Sequence, residues 1–244
     1  QRVKQFMNYY IGNVMEEYTP DMDQMLFFLP LAGSTFKKTY YDETLGRAVS
    51  KFVPAENLVV PYSTTDLETC PNITQVVRMP LNDLRKRQVA GVYLDVEVIP
   101  SQSEVTSLSG EIDRIDGQDA NQIDYDCTIL ECHVDLDLEG YEDLDEEGEE
   151  TGIKVPYIVT ISEDNGHVLS VRRNYREEDE LRKKIHYFTH FKFLPGFGFY
   201  GLGLIHTIGG LSRTATSALR QLIDAGTLAN LPAGFKARGL RIRD

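Results

Sequence analysis

Four groups of residues carry the types and spacing that binding or catalysis asks for. Gly196-Phe-Gly198-Phe-Tyr-Gly201 spells G-x-G-x-x-G between a strand-like and a helix-like run, where backbone amides at a helix start can hold a dinucleotide pyrophosphate. Three features weigh against that chemistry. The strand before it alternates with polar His186, Thr189, His190 and Lys192 and ends at Pro195, whereas a buried parallel strand is continuously aliphatic. Phe197, Phe199 and Tyr200 crowd the place where a phosphate would approach. The acid that should follow, Asp224, falls inside the next helix. The glycines read instead as the means by which an aromatic loop turns tightly.

Asp135, Asp137, Glu139 and Gly140 followed by Glu146 approach the pattern of a twelve-residue calcium loop, with oxygen ligands at alternate positions and glycine at the sixth. Glu139 is oversized for the fifth position, and Glu142 stands where an apolar anchor belongs. The alternation of Val134, Leu136 and Leu138 with Asp135, Asp137 and Glu139 suits a half-buried strand entering a solvated acidic loop. His186 and His190 are four apart, but no acidic third ligand follows them at a metal-site spacing. Cys127, Cys132 and His133 are too close together and too few for structural zinc. No G-x-S-x-G elbow, P-loop or pair of catalytic carboxylates stands out. The sequence therefore offers no catalytic set, no metal ligands and no cofactor site, and the chain is expected not to be an enzyme. The calcium loop remains the alternative: an acidic calcium-binding β-module without catalytic activity.

The elements that position these residues follow from period and punctuation. Val3, Phe6, Met7, Tyr10, Val14 and Met15 lie on one side of a helix ending near Glu17, and Thr19-Pro20-Asp21 opens a second helix towards Pro30. Thr35 to Asp42 and Ala48 to Phe52 read as a hairpin, and Asn57 to Pro61 as a further strand. Asn82 to Val92 and Glu104 to Ile115 read as helices. Strand signals return over Cys127 to Leu138, Lys154 to Ser162 and His167 to Asn174, with Asn165-Gly166 supplying a tight turn between the last two. Ile185 to Leu194 is an aromatic strand, and Leu204 to Leu228 is the longest helical pattern. The fold class is α+β: antiparallel strands and hairpins with several helices and a long C-terminal helix.

Length and charge set outer limits. The chain has 244 residues, 41% apolar and 10% aromatic, enough to bury a core in one or two domains. Its 25 Lys and Arg against 38 Asp and Glu give −13, which excludes a generally basic nucleic-acid wrapper. Eleven of those acids lie between Glu131 and Glu150, so the rest of the chain holds 27 acids against 25 bases and is only −2. From Val171 to Asp244, 13 bases against 6 acids give +7. Cys70, Cys127 and Cys132 are an odd number without a C-x-x-C pair, as expected of reduced thiols in a cytosolic compartment. No run of about 18 apolar residues is present, so no membrane partner is expected. The chain opens at Gln1 and stops at Asp244 inside the strand-like Gly239-Leu-Arg-Ile-Arg, as a piece of a longer protein would.

The long helix carries the most information. Leu204, Ile208, Leu211, Ala215, Ala218 and Leu222 step by four and three, so one stripe is apolar along its whole length and must be covered. Ser212, Thr214, Thr216, Ser217 and Ala225 allow a neighbouring helix to come close, while Arg213 and Arg220 point elsewhere. Packing among copies of itself and a core helix in a monomer both fit the pattern.

The run from Ile185-His-Tyr-Phe-Thr-His-Phe-Lys-Phe-Leu-Pro-Gly-Phe-Gly-Phe-Tyr-Gly to Leu204-Ile resembles the portal proteins (head-to-tail connectors) of tailed bacteriophages. So do the helix end Leu222-Ile-Asp-Ala-Gly-Thr-Leu-Ala-Asn and the following Leu231-Pro-Ala-Gly-Phe-Lys-Ala-Arg-Gly. Upstream, Gly33-Ser-Thr-Phe-Lys-Lys-Thr-Tyr-Tyr-Asp42 and Phe52-Val-Pro-Ala-Glu-Asn-Leu-Val-Val-Pro61 are similar to the portal segment that pairs a lysine-bearing strand with a Val-Pro-x-Glu/Asp strand. The acidic stretch 131–150 has no counterpart in that pattern.

The resemblance implies a structural subunit of a ring of about a dozen copies at one capsid vertex, through which double-stranded DNA is packed and ejected. Its partners would be itself, the DNA passing through, the packaging ATPase (terminase), a tail adaptor, and capsid and scaffold proteins. Its place would be the virion's portal vertex, reached from the host cytoplasm during assembly. Residues 1–203 would form the wing-like α+β body with the acidic loop 131–152 inserted between strands. Residues 204–230 would be a helix leading to the stem, and 231–244 the start of a clip-like segment. A conduit needs few phosphate-pairing cations, which suits a net charge of −13. Arg213, Arg220, Lys236, Arg238, Arg241 and Arg243 are the candidates for facing DNA or for pairing between subunits with the acidic region.

Overall fold

The computed structural model describes residues 1–42, 45–98, 100–102, 125–143, 150–179 and 181–230. The expected helix from Glu104 to Ile115 and the clip-like segment with Lys236, Arg238, Arg241 and Arg243 lie outside the described residues.

Helix α1 (Arg2–Tyr9) runs into a π-helical turn over Tyr10–Val14, and helix α2 (Tyr18–Ala32) follows. Pro30 does not end α2. The helix continues two residues to Gly33, whose φ of +86° supplies the left-handed cap, with its N–H donating to the Leu29 carbonyl. Strands β1 (Ser34–Asp42) and β2 (Arg47–Pro54) form the hairpin that the sequence announces, and β9 (Phe188–Lys192) pairs with the other side of β1. The result is a three-stranded antiparallel sheet in the order β2-β1-β9.

The second sheet is larger. Strands β3 (Leu58–Val59), β4 (Ile73–Pro80), β6 (Tyr125–Leu136), β7 (Val155–Ser162) and β8 (Val168–Arg173) lie side by side in that order, and the short β5 (Ser101–Gln102) pairs with β6. All of these pairings are antiparallel. β4 is a strand the sequence does not announce, although four of the five residues Ile73-Thr-Gln-Val-Val are β-branched, and β3 is shorter than the expected Asn57 to Pro61. Helix α3 (Leu81–Val89) follows β4 directly, burying Leu84 in one cluster with Met79, Tyr93, Val98, Cys127, Ile129 and Leu169.

The two sheets meet over Phe36, Val53, Leu58, Leu67, Cys70, Ile73, Phe188 and Phe199, which form one core cluster. Val155, Tyr157 and Val159 of β7 build another with Val134, Leu136 and Leu138. β7 is buried along nearly its whole length, as a central strand should be. The β7–β8 turn contains Gly166 at φ +67°, which the Asn165-Gly166 signal requires. After β9 the chain passes through residues 193–203 into helix α4 (Leu204–Asn230). No helix among the described residues is long and apolar enough to cross a membrane.

Candidate functional site

Helix α4 leaves the body from a glycine clasp. The Leu202 N–H donates to the Leu194 carbonyl, the Phe193 N–H to the Gly33 carbonyl at 3.0 Å, and the Gly201 N–H to Ser34 Oγ at 2.7 Å. Backbone lies against backbone here. A Cβ on Gly201 would sit 2.5 Å from the Gly33 carbonyl oxygen, one on Gly203 would strike the Leu31 carbonyl, and one on Gly196 would strike the Tyr200 carbonyl. Gly198 faces open space. Gly196 lets the loop fold back on itself as a tight turn would, and Gly201 and Gly203 are needed besides because the loop closes onto the end of α2 and the start of β1.

Ser34 and His190 lie 3.1 Å apart within this clasp, a nucleophile–base distance. Ser34 is buried, and its oxygen already accepts from Gly201. His190 stacks on Phe36, 4.4 Å away by ring centroids, and tilts against Phe199 at 4.7 Å, the two phenyl rings themselves lying 5.8 Å apart. Burial, aided by the Lys192 charge, pushes its imidazole down to about 4. The pair holds β1, β9 and the loop together. His186 lies ahead of β9 and is exposed, so the two histidines do not meet in a ligand set.

From this root α4 runs 27 residues, about 40 Å at 1.5 Å per residue. None of its residues is buried. Of the expected stripe, Leu204 is 37% exposed, Ile208 52%, Leu211 72% and Leu222 71%, and Ala215 and Ala218 are exposed with them. Ile205, Leu219 and Ile223 widen the stripe and are also exposed. At 100° per residue, Arg213 and Arg220 fall on the opposite side. They flank a concavity of about 550 Å³ lined also by Gly209, Ser212, Thr216 and Ser217. The Thr214, Thr216 and Thr227 hydroxyls donate to carbonyls one turn back, so each is satisfied within the helix. Gly209, Gly210 and Gly226 sit inside the helix, and a Cβ on any of them would meet no atom closer than 4.0 Å.

No protein-family model and no curated protein matches this chain.

Between the two sheets lies a polar seam that sequence reasoning missed. Strand registers place Gln75, Glu131, Thr160 and Ser170 in one row across β4, β6, β7 and β8. Lys38 of β1 reaches down to this row, its ammonium 2.7 Å from Glu131 Oε1 and 2.9 Å from Gln75 Oε1. His133 Nε2 meets the same Glu131 oxygen at 2.9 Å. Burial lowers the His133 pKa against the pull of Glu131, so the ring is neutral and its Nε2–H donates. Burial works to raise Glu131, but the His133 hydrogen bond and the Lys38 charge overcome it and hold the carboxyl at about 2. Burial also lowers the Lys38 ammonium, only partly offset by Glu131. Each group is committed to another. The nearest sequence signal is the Lys37-Lys38 pair in an otherwise β-forming run.

The acidic stretch is tied to its own chain. Asp143 pairs with Arg182 at 2.7 Å and accepts from the Thr151 hydroxyl at 2.8 Å, and Asp135 lies 4.0 Å from Lys184. Glu142 accepts from the Gly140 N–H instead of turning to the other acids. Asp135 lies on β6 itself, Asp137 and Glu139 follow it, and Glu146 lies outside the described residues. Among the described residues no three His, Cys, Asp or Glu side chains converge as metal ligands.

Proposed function

We propose that this chain is a structural subunit of a bacteriophage portal ring, whose α4 packs against copies of itself around a conduit for double-stranded DNA. The observation that carries this reading is the long apolar stripe of α4, which no element among the described residues covers. Three features agree with it. Glycine inside a helix costs roughly 0.5–1 kcal/mol relative to alanine, and nothing among the described residues repays Gly226, which lies within the stripe, whereas a neighbouring helix approaching closely would. The threonine hydroxyls are satisfied internally, so the face can be buried without orphaned polar groups. With the stripe covered by sister subunits, Arg213 and Arg220 remain on the far side of the helix, available to the polyanion or to a neighbour's acids.

In this reading the chain performs no covalent chemistry. It supplies a wall, and the terminase and later the tail adaptor would dock on the assembled ring at the capsid vertex. The test is sedimentation combined with electron microscopy on the chain and on a Leu211→Asp/Leu222→Asp variant. Both positions are exposed, so the variant should keep its fold, with a stability change within about 0.5 kcal/mol. The expected result is concentration-dependent assembly of the parent, lost in the variant. A parent that remains monomeric at every concentration, or a variant that assembles equally well, overturns the reading.

A further inference from the structure

The turn between β7 and β8 holds a reactive pair. Asn165 is the one asparagine of the sequence that is followed by glycine, and it stands half-buried before the exposed Gly166. The nucleophile nearest an asparagine side-chain amide is the backbone nitrogen of the next residue, and glycine, lacking a Cβ, shields that nitrogen least. Nothing packs over the turn: a Cβ on Gly166 would meet no atom within 4 Å. Three hydrogen bonds keep the pair from reacting. The Gly166 N–H donates to the Ser162 carbonyl at 3.0 Å, Asn165 Oδ1 accepts from the His167 N–H at 3.2 Å, and Asn165 Nδ2 donates to the Glu97 carbonyl at 2.8 Å. The nitrogen must lose its proton and the amide must swing towards it, so each bond holds an atom that the reaction needs free.

The Glu97 bond spans 68 residues and ends on a strap, residues 92–98, that leaves α3 and lies beside β8. The Leu94 N–H donates to the Leu169 carbonyl of β8 at 2.7 Å, and the Gln88 amide on α3 donates to the Leu94 and Val96 carbonyls. Tyr93 and Val98 of the strap are buried in one cluster with Cys127, Ile129 and Leu169. β8 is the outer strand of the large sheet, so the strap covers part of an edge that would otherwise invite pairing. Asn165 fastens the end of that strap next to Val98.

We propose that Asn165 is a deamidation site guarded by these hydrogen bonds, and that its conversion unfastens residues 92–98 from the outer edge of β8. The Gly166 nitrogen gives up its proton and bonds to Asn165 Cγ; the Cγ–Nδ2 bond breaks, and Nδ2 leaves with that proton as ammonia. Water then opens the five-membered imide at either carbonyl, giving aspartate or, where the backbone comes to run through the side chain, isoaspartate. The sum is asparagine plus water to aspartate plus ammonia, with no change of oxidation state. Either product lacks the N–H that the Glu97 carbonyl accepts and sets a carboxylate in a turn that already holds Glu163 and Asp164. The arrangement is independent of α4 and of any assembly through it.

The test ages the full chain at mildly alkaline pH, folded and in denaturing urea, and follows each asparagine by peptide mass spectrometry with detection of isoaspartate. Asn165 should convert ahead of every other asparagine, and about tenfold or more slowly in the folded chain than in urea, because the reaction waits for the turn to open. Hydrogen exchange on the parent and on Asn165→Asp and Asn165→Ala then reads the strap. The Leu94 amide should exchange a few-fold faster in both variants, more so in Asn165→Asp, while the amides shared by β6 and β7 keep the parent's protection. Conversion of the folded chain as fast as in urea, no conversion of the folded chain at Asn165, preference for another asparagine, or unchanged Leu94 exchange in Asn165→Asp overturns the proposal.

Discussion

At the residue scale, the Lys38–Glu131–His133 cluster decides how the two sheets stay together. Lys38 and Glu131 have side chains only 11% and 15% exposed, so removing one partner strands the other in a place where water cannot replace it. Lys38→Met or Glu131→Leu should each cost about 3–5 kcal/mol, whereas the double replacement should recover most of the loss, as measured by chemical denaturation. Acid gives a second test. Glu131 has a folded pKa of about 2, below its ordinary 4.5, so its contribution is present above the ordinary value and lost as pH falls through 4.5 towards 2. His133 and His190 are lowered from 6.5, so folding must keep them neutral, and stability starts to fall below that pH. Denaturant midpoints should therefore decline in two stages, first below pH 6.5 and then below 4.5. Glu131→Gln should shrink the second stage, to which Glu17, also held below its ordinary value, contributes as well. A single decline unaffected by that substitution would contradict the assignment of the ion pair.

At the element scale, the clasp and α4 show what was legible and what was not. The strands, their hairpin turns and the long helix follow from period and punctuation, because each depends on neighbours a few residues away. Tertiary partners do not. Nothing near Gly201 in sequence says that Gly33, 168 residues earlier, must lie against it; the G-x-G-x-x-G pattern is the local trace of a long-range contact. Lys38 likewise meets Glu131 only through the meeting of two sheets, and Gln75 lies on a strand that the sequence reading passed over. The stripe on α4 was visible, but whether its own chain covered it was not, since that depends on where the helix leaves the body. Substitution separates the glycines. Gly201→Ala must displace backbone and should cost about 2–4 kcal/mol, while Gly198→Ala should be nearly neutral, by thermal denaturation. A dinucleotide fingerprint would need its second glycine, so a neutral Gly198→Ala belongs with a packing role. On α4 the expected signs oppose each other: Gly226→Ala, within the stripe, should stabilise the isolated chain by about 0.5–1 kcal/mol yet weaken assembly, because a methyl group keeps a close neighbour away.

At the scale of the whole molecule, charge distinguishes two ways of holding copies together. Each chain carries −13, so bringing copies side by side meets like-charge repulsion, concentrated where the 131–150 stretch places eleven acids. Asp143 and Arg182 satisfy each other within one chain, and Asp135 lies near Lys184, so part of the acidity is already matched internally and is not free to recruit a neighbour's arginines. If the apolar stripe of α4 is what joins subunits, salt should help. Screening over a Debye length that shrinks from roughly 14 Å at about 0.05 M to about 4 Å at about 0.5 M weakens the repulsion and leaves apolar burial intact. If Arg213 and Arg220 instead held copies together through the neighbour's acids, the same change in salt would dissolve the assembly. Sedimentation at the two ionic strengths separates these cases, and ammonium sulfate should drive the equilibrium further than sodium chloride because it strengthens apolar burial. Larger species at high salt, retained in an Arg213→Ala/Arg220→Ala variant, are the outcome expected of stripe-to-stripe packing; dissociation at high salt would move the joint from the oily side of α4 to its arginine side.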